Sequence, residues 1–162
     1  MFGNGPVDAD LLVLGEAPGE DEDARGEPFV GPAGWALDKL LREAGLDREQ
    51  AYVTNVVLCR PPKNRRPTSA EIAACSSHLD AQINAVRPRV ILGFGATAAR
   101  RLLGAGARVG TSRGRRHDRD GVRIFITFHP SAWNRKRGRR ALVGGDIRLA
   151  GRFLSLDASA MR

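Results

Sequence analysis

The stretch that decides the fold is DLLVLGEAPG at positions 10–19, where an apolar run leads directly into a loop containing glycine and proline. A second stretch of the same kind, VRIFITFHPSA, covers positions 122–132. Short apolar runs bounded by turn residues are typical of buried strands. Open α/β sheets build their binding sites beyond the carboxyl ends of the strands. The sequence therefore predicts that the GEAPG and HPS loops lie at one sheet edge and form a site.

The segment between these runs alternates between predicted strands and predicted helices. Strands are expected at 51–58 and 90–94, and helices after Pro32, Thr68 and Gly95. Strands alternating with helices indicate a parallel sheet that is covered on both faces. We therefore expect an α/β fold, a three-layer α/β/α sandwich around a short, mainly parallel four-stranded sheet. The chain length suits one domain over residues 1–162.

Several local patterns give more detailed expectations. The sequence Thr68-Ser69-Ala70-Glu71 is typical of a capping box that opens a helix. The acidic segment 16–31 is predicted to be a long loop, and 104–120 a loop with a hairpin strand. Trp35 recurs at helical spacing with the leucines that follow it and is expected in the core. A last amphipathic helix is expected to begin near Gly145.

The charge balance favours a polyanionic partner. The chain of 162 residues has 26 Lys and Arg against 18 Asp and Glu, a formal net charge of +8. Basic residues cluster at 60–66, 113–119 and 135–140, and the first and third clusters adjoin the motifs. Phosphate neutralisation makes nucleic acid a better candidate than an acidic membrane. No stretch has the length of a membrane-spanning helix or a signal-peptide pattern, so we expect a cytoplasmic protein.

Four motifs occur in one order along the chain: GEAPG at 15–19, GEPFVGPAG at 26–34, TNVVLCRPP at 54–62 and HPS at 129–131. This series resembles family 4 of the uracil-DNA glycosylase superfamily, its thermostable iron–sulfur branch. The resemblance implies a monofunctional DNA repair enzyme. Such an enzyme flips uracil out of DNA and hydrolyses the N-glycosidic bond, leaving an abasic site. The implied partner is uracil-containing DNA, single- or double-stranded, bound by a monomer.

The resemblance also implies which residues bind the base. Its histidine corresponds to His129 and donates to uracil O2 as the leaving base becomes an anion. Asn55 offers a donor and an acceptor that suit the N3–H and O4 edge of uracil, and Phe29 would stack on the flipped base. From the residues alone, Asn55 could equally be bonded to a neighbouring loop, and Phe29 could simply anchor its loop in the core.

The carboxylate that assists at the sugar is assigned by the same match. Several branches of the superfamily carry Asp or Asn at the third position of the GEAPG motif, and Ala17 stands there in this chain. We favour Glu22 for stabilising water or the sugar cation. Glu16 would shape the pocket, with its own backbone and those of Ala17 and Pro18 contacting uracil. A run of acidic residues in a loop is otherwise ordinarily solvated.

Two basic loops are expected to contact DNA. The first contains Arg60, Lys63 and Arg65 in the rigid sequence RPPKNRRP at 60–67, which suits contacts to phosphates. The second follows His129 and contains Trp133 and Arg135. Family members usually carry near this position an aliphatic residue that wedges into the space vacated by the flipped base. In this chain Trp133 would either wedge there or stack on a base.

The chain contains only two of the four cysteines that an iron–sulfur cluster would need. The resemblance implies a [4Fe-4S] cluster with four cysteine ligands, of which Cys59 and Cys75 have the spacing of the last two. The other two would come from a CxxC ahead of the first strand, and this chain has only 2 cysteines. Either the N-terminal segment is missing, the cluster has been dispensed with, or a partner chain loads it. Without a cluster, Cys59 is expected to be a small buried residue.

Other functions remain open from the sequence. The chain could be a DNA-binding member of the same fold with little catalysis, or a glycosylase for another deaminated base. A nucleotide-binding protein is disfavoured, because the sequence at 15–19 matches neither GxGxxG nor a Walker motif.

Overall fold

The computed structural model describes residues 1–132 and 138–160. The strands are β1 (Leu11–Gly15), β2 (Ala51–Asn55), β3 (Val90–Phe94), β4 (His117–Arg119) and β5 (Val122–Thr127). The helices are α1 (Glu20–Arg25), α2 (Pro32–Glu43), α3 (Ser69–Val86), α4 (Gly95–Leu103), α5 (Val109–Ser112) and α6 (Arg139–Ala160). Short 3₁₀ turns at Arg48–Gln50, Pro62–Asn64 and Pro130–Ala132 complete the elements.

The five strands form one sheet in the order β2-β1-β3-β5-β4. All neighbours pair in parallel except β4, which pairs antiparallel with β5. The chain leaves β1 for one side of the sheet at β2 and later returns to its other side at β3. The topological switch point is therefore at the carboxyl ends of β1 and β3, where such sheets bind ligands.

Alternate residues of each central strand face opposite layers. Leu11 and Val13 belong to a core cluster with leucines of α2 and with Val143 and Ile147 of α6. Residues Leu12 and Leu14 pack instead in a cluster that includes residues of α3 and α4. Because β1 is buried on both faces, its sequence is continuously apolar. The three-layer α/β/α architecture is confirmed.

The expected four-stranded sheet has a fifth strand. The short edge strand β4 is formed by His117, Asp118 and Arg119, of which the two charged residues are exposed. The hairpin strand expected within 104–120 is thus confirmed, and the sheet has five strands because this strand, which lacks apolar alternation, pairs with β5. Strand β2 ends at Asn55, earlier than expected, although the buried chain continues to Leu58.

The capping box is confirmed at the start of α3. The Thr68 hydroxyl accepts from the Glu71 backbone N–H at 3.2 Å, and the Glu71 carboxylate accepts from the Thr68 N–H at 2.7 Å. Two other helices differ from expectation. The acidic loop contains α1, which has no buried residue and hence no periodic apolar signal. Helix α6 begins at Arg139 rather than near Gly145. Its first turn is rich in arginine and therefore lacks the apolar periodicity from which the start of a helix is predicted.

The prediction that Trp35 is in the core is wrong. Helix α2 buries Gly34, Leu37, Leu40 and Leu41. Trp35 is one residue beyond Gly34, about 100° further around the helix axis, and is 68 % exposed. A glycine thus occupies the buried position next to the tryptophan. Among the described residues, no helix is both long and apolar enough to cross a membrane.

Candidate functional site

A cavity of about 590 Å³ lies at the carboxyl edge of the sheet, at the switch point. The loops that follow β1, β2, β3 and β5 all contribute to its wall. Its lining includes Glu16, Ala17, Pro18, Glu22, Phe29, Asn55, Arg65, Gly95, His129 and Ser131. The two motifs that follow apolar runs in the sequence therefore meet, as expected from the parallel sheet.

The floor of the cavity depends on the absence of a side chain at Gly15, the last residue of β1. A Cβ at this position would lie 2.6 Å from Cζ of Phe29 and closer still to Oδ1 of Asn55. Glycine therefore allows the phenyl ring and the amide to approach the end of the central strand. The backbone of the loop is held to β2, because Val56 N–H and Val57 N–H donate to the carbonyls of Gly15 and Glu16, both at 3.0 Å.

Asn55 is the last residue of β2 and is only 3 % exposed. Within residues 1–132 and 138–160 its side-chain amide has no hydrogen-bond partner, although it lines the cavity. An unpaired amide at such depth is costly unless a ligand or water satisfies it. Among the described residues, the Asn55 side chain makes no hydrogen bond to a neighbouring loop, which was the alternative expectation. No described residue therefore competes with a molecule in the cavity for its donor and acceptor.

Phe29 supplies an aromatic wall. Its backbone has a φ of 58°, an uncommon conformation for a residue other than glycine. The ring stacks on the imidazole of His129, with centroids 6.0 Å apart and planes inclined by 26°. It also contacts Phe94 of β3, at 6.4 Å between centroids. Phe29 thus both anchors its loop and borders the cavity.

The contacts of His129 assign the proton on its ring. Nδ1 accepts from the backbone N–H of Ser131 at 3.3 Å and lies 2.9 Å from the Ser131 hydroxyl. Because a backbone N–H can only donate, Nδ1 is unprotonated and the neutral ring carries its proton on Nε2. Burial lowers the pKa of His129, and the negative charges of Glu16 and Glu22 partly oppose this effect. The neutral tautomer with Nε2–H is therefore favoured.

Two carboxylates border the same cavity. Glu22, on α1, accepts from the backbone N–H of Gly19 at 3.1 Å and from that of Gly31 at 3.0 Å. It therefore connects the residue directly before α1 with the residue directly before α2. Glu16 accepts a hydrogen bond from the hydroxyl of Thr97, on α4. Each carboxylate is thus held by groups that favour its position beside the histidine.

Thr97 is a site residue that the motifs do not reveal. It is 6 % exposed and lies two residues after Gly95, which follows β3 directly. Its only sequence signal is a hydroxyl among small apolar residues immediately after a strand. Gly95 has a φ of 86°, and a Cβ there would lie 3.6 Å from the Cβ of His129. The β3–α4 junction therefore supports both Glu16 and His129.

The basic loop after β2 is held by ion pairs. Arg65 makes a bidentate pair with Glu71, at 2.7 and 2.8 Å. The bonds from Arg65 and from the Thr68 backbone hold the pKa of the Glu71 carboxyl at about 2. Arg60 lies 3.3 Å from Glu20 and donates to Asn64 at 2.7 Å.

Lys63 in the same loop is exposed and has a φ of 54°. The three basic residues predicted to contact DNA thus share one exposed loop at the rim of the cavity. Trp133 and Arg135, the other predicted DNA contacts, lie outside the described residues.

The two cysteines do not complete a cluster site. Cys59 is exposed, which corrects the expectation that it is buried, since the loop turns outward after Leu58. Cys75 is partly buried, and its Sγ accepts from the Leu58 N–H at 3.5 Å. A [4Fe-4S] cluster takes four thiolates. Among the described residues, no group of three or more His, Cys, Asp or Glu side chains could hold a metal.

Comparison with known proteins agrees with the cavity and its motifs. The chain is 45 % identical over 162 residues to a type-4 uracil-DNA glycosylase of Thermotoga maritima, covering 97 % of this chain and 84 % of that protein. It is 36 % identical over 160 residues to the type-4 enzyme of Pyrobaculum aerophilum, covering 90 % and 78 %. The Sulfurisphaera tokodaii enzyme is 40 % identical over 139 residues, which span 80 % of this chain and 63 % of that protein. A sequence model described as the uracil DNA glycosylase superfamily matches residues 2–144, and the chain therefore belongs to this superfamily.

Proposed function

We propose that the protein is a monofunctional uracil-DNA glycosylase that hydrolyses the N-glycosidic bond and leaves an abasic site. The observation that carries the proposal is the convergence of Asn55, Phe29 and His129 on one cavity at the switch point. The names of its relatives support the same reaction. We further propose a single domain over residues 1–162 that acts as a monomer in the cytoplasm, a compartment that suits two free cysteines.

Recognition of the base is assigned to Asn55 and Phe29. A flipped uracil presents an N3–H donor beside an O4 acceptor, and the Asn55 amide can pair with both. Cytosine has an acceptor at N3 and a donor at C4, so the same amide in the same orientation would face two mismatches. The ring of Phe29 stacks on the base and so confines it to the plane that this pairing needs. The backbone of Glu16, Ala17 and Pro18 closes the remaining wall.

Departure of the base is assigned to His129. As the bond between C1′ and N1 breaks, negative charge develops on uracil O2. The neutral imidazole donates from Nε2 to that oxygen, while the Ser131 N–H keeps Nδ1 in place. A donor already oriented before the reaction stabilises the developing anion without reorganisation. Loss of one such donor typically costs roughly 10²- to 10³-fold in rate.

The sugar that remains gains oxocarbenium character and needs negative charge or an oriented water. We assign this role to Glu22, whose two oxygens are each held by one backbone N–H and retain further acceptor capacity. Glu16, fixed by Thr97, shapes the pocket and adds a second negative charge. Both charges also act on the pKa of His129.

The DNA strand is expected to follow the basic rim. Arg60, Lys63 and Arg65 approach its phosphates from the loop after β2, and Trp133 and Arg135 from the segment after His129. Exposed ion pairs such as Arg65–Glu71 contribute little net stability, so a phosphate can replace the carboxylate. The net charge of +8 supports a polyanionic substrate.

The deciding experiment measures uracil release from a single-stranded oligonucleotide with one dU, read as strand cleavage after alkali. We expect release by the wild type and losses of at least about 10²-fold in Asn55→Ala and His129→Ala. Glu22→Gln should also reduce release. Matched controls are Asn84→Ala and His78→Ala, which alter exposed residues of α3 away from the cavity and should retain full activity.

Other outcomes identify the competing functions. A wild type that binds the oligonucleotide but releases no uracil would indicate a DNA-binding member without catalysis. Release of hypoxanthine in preference to uracil would indicate another deaminated base as the substrate. Unchanged activity in Glu22→Gln would remove that residue from the mechanism without affecting the assignment of the base pocket.

A further inference from the structure

A second depression, of about 420 Å³, adjoins the uracil cavity. Its floor is formed by Pro32, Trp35 and Lys39 of α2 and by Pro130. Ala33 and Ser131 line both depressions. The backbone N–H of Ser131 donates to His129. The second depression therefore lies directly beside the proposed reaction centre.

Trp35 dominates this depression and takes no part in the core. Its side chain is 68 % exposed, and α2 packs through other positions. An exposed tryptophan leaves a large apolar surface in water, and such side chains are enriched where a partner covers them. Phe2, at 67 % exposure, is comparable but packs edge-on against His78 of α3, on the opposite face of the sheet.

The charge beside Trp35 is positive. Lys39 is four residues further along α2, so its side chain is on the same face as the indole. Among the described residues, Lys39 has no ion-pair partner. The neighbouring acids of the helix are engaged elsewhere, Asp38 by Arg48 at 3.0 Å and Glu43 by Arg140. An indole surface next to an ammonium group that no described carboxylate pairs with suits a nucleotide, which has an aromatic base and a phosphate.

We propose that Trp35 and Lys39 form a binding site for the nucleotide adjacent to the flipped uracil. The indole stacks on its base, and the ammonium group of Lys39 contacts its phosphate. This inference rests on the proposed function, since the uracil cavity determines where the strand lies. Stacking on an aromatic side chain accepts any base, so the site adds affinity without sequence preference.

The site also predicts a preference for substrate form. In a duplex, the base next to the lesion is paired and stacked within the helix and cannot stack on Trp35 without further unpairing. In a single strand, or at a frayed end, it is free to do so. Trp35 should therefore favour uracil whose neighbour is unpaired.

Binding tests the site without relying on catalysis. The affinity of a uracil-free single-stranded oligonucleotide is measured by fluorescence anisotropy for wild type, Trp35→Ala, Trp35→Phe, Lys39→Ala and the control Phe2→Ala. We expect Trp35→Ala to weaken binding by about 5- to 100-fold, the range for loss of one stacked base. Trp35→Phe should recover much of the loss, Lys39→Ala should reduce the salt dependence, and Phe2→Ala should bind as the wild type does.

A spectroscopic measurement reports the stacking itself. The chain has 2 tryptophans, so Trp133→Phe leaves Trp35 as the only indole. Saturation of this variant with the same oligonucleotide should quench its fluorescence, since base stacking changes the surroundings of the ring. An unchanged emission spectrum at saturation would overturn the proposal. Equal affinity of Trp35→Ala and wild type for single strands, with both folded by thermal unfolding, would do the same.

Comparison of substrate forms separates this proposal from the proposed function. If the wild type releases uracil and Trp35→Ala raises KM more for single-stranded than for duplex substrate, both proposals are supported. An equal increase for both substrates would contradict the unpaired-neighbour role. Absence of uracil release in the wild type would refute the glycosylase assignment, while oligonucleotide binding that still depends on Trp35 would retain the stacking site.

Discussion

Replacement of Gly34 by alanine should destabilise the protein, although alanine is the better helix former. Gly34 is in the first turn of α2, where the exchange alone would gain up to about 1 kcal/mol from helix propensity. However, an alanine Cβ at this position would lie 1.8 Å from the carbonyl oxygen of Phe29. Side-chain Cβ atoms essentially never come within 3.0 Å of another heavy atom. The Phe29 carbonyl would therefore have to move by more than about 1 Å.

The size of the effect follows from what this movement disturbs. Overpacking of a tightly packed site costs about 1–3 kcal/mol and exceeds the propensity gain. For a chain of this length, a net loss of about 1–2 kcal/mol lowers Tm by roughly 2–8 °C. Phe29 also stacks on His129 at 6.0 Å, so its displacement misplaces the proposed donor. A misplacement of about 1 Å can cost on the order of 10²-fold in rate.

Gly145→Ala is the matched control. Gly145 is an exposed residue in α6, and a Cβ there would meet nothing within 4 Å. This variant should gain up to about 1 kcal/mol and raise Tm by roughly 2–4 °C with unchanged uracil release. Calorimetry and the alkali-cleavage assay on both variants decide the matter. A Gly34→Ala protein that is as stable and active as Gly145→Ala would refute the close contact between α2 and Phe29.

Three further predictions follow from other contacts. Because burial lowers the pKa of His129, uracil release should fall on acidification with a midpoint below about 6.5. The same shift contributes stability above about pH 6.5 that is lost as the pH falls through the folded-state pKa, so Tm of His129→Asn should decline less over this interval. A midpoint above 6.5 in the kcat profile would contradict the neutral donor. Asp146→Ala removes the acceptor of two hydrogen bonds from Arg113, at 2.8 and 2.9 Å, and of one from Thr127, at 2.7 Å. It should lower the free energy of unfolding in denaturant by about 3–5 kcal/mol. A decrease of less than about 1 kcal/mol would show that these donors find other partners. Thr97→Val removes the hydroxyl that holds Glu16 and should reduce uracil release roughly 10-fold at unchanged DNA affinity, and full release would mean that Glu16 is positioned by other contacts.

The sequence was most informative for features that are set by residues close together in the chain. The start of α3 is predicted from Thr68 and Glu71, because a capping box is formed by residues three positions apart. Strand β3 is predicted with its observed bounds, because a strand buried on both faces is continuously apolar. The sharing of one edge by the GEAPG and HPS loops follows from the parallel sheet.

Elements without an apolar pattern were less predictable. Helix α1 buries no residue, and the first turn of α6 is arginine-rich, so neither shows a hydrophobic period at its start. The short edge strand β4 was expected only as a hairpin strand somewhere within 104–120, and its bounds are set by its pairing with β5. Trp35 was assigned to the wrong face, because a one-residue difference of phase separates the core stripe from solvent.

The sequence by itself determined the α/β class, the order of the main elements, the superfamily and the motifs that surround the cavity, since apolar runs and turn residues act over short distances along the chain. Only the tertiary structure decided the tautomer of His129, the support of Glu16 by Thr97, the need for glycine at position 34 and the exposure of Trp35. The support of Glu16 depends on a contact between residues 81 positions apart in the chain, and the other features depend on the conformation of a loop or on the exact phase of a helix. Such distances and directions are established only when the layers pack together.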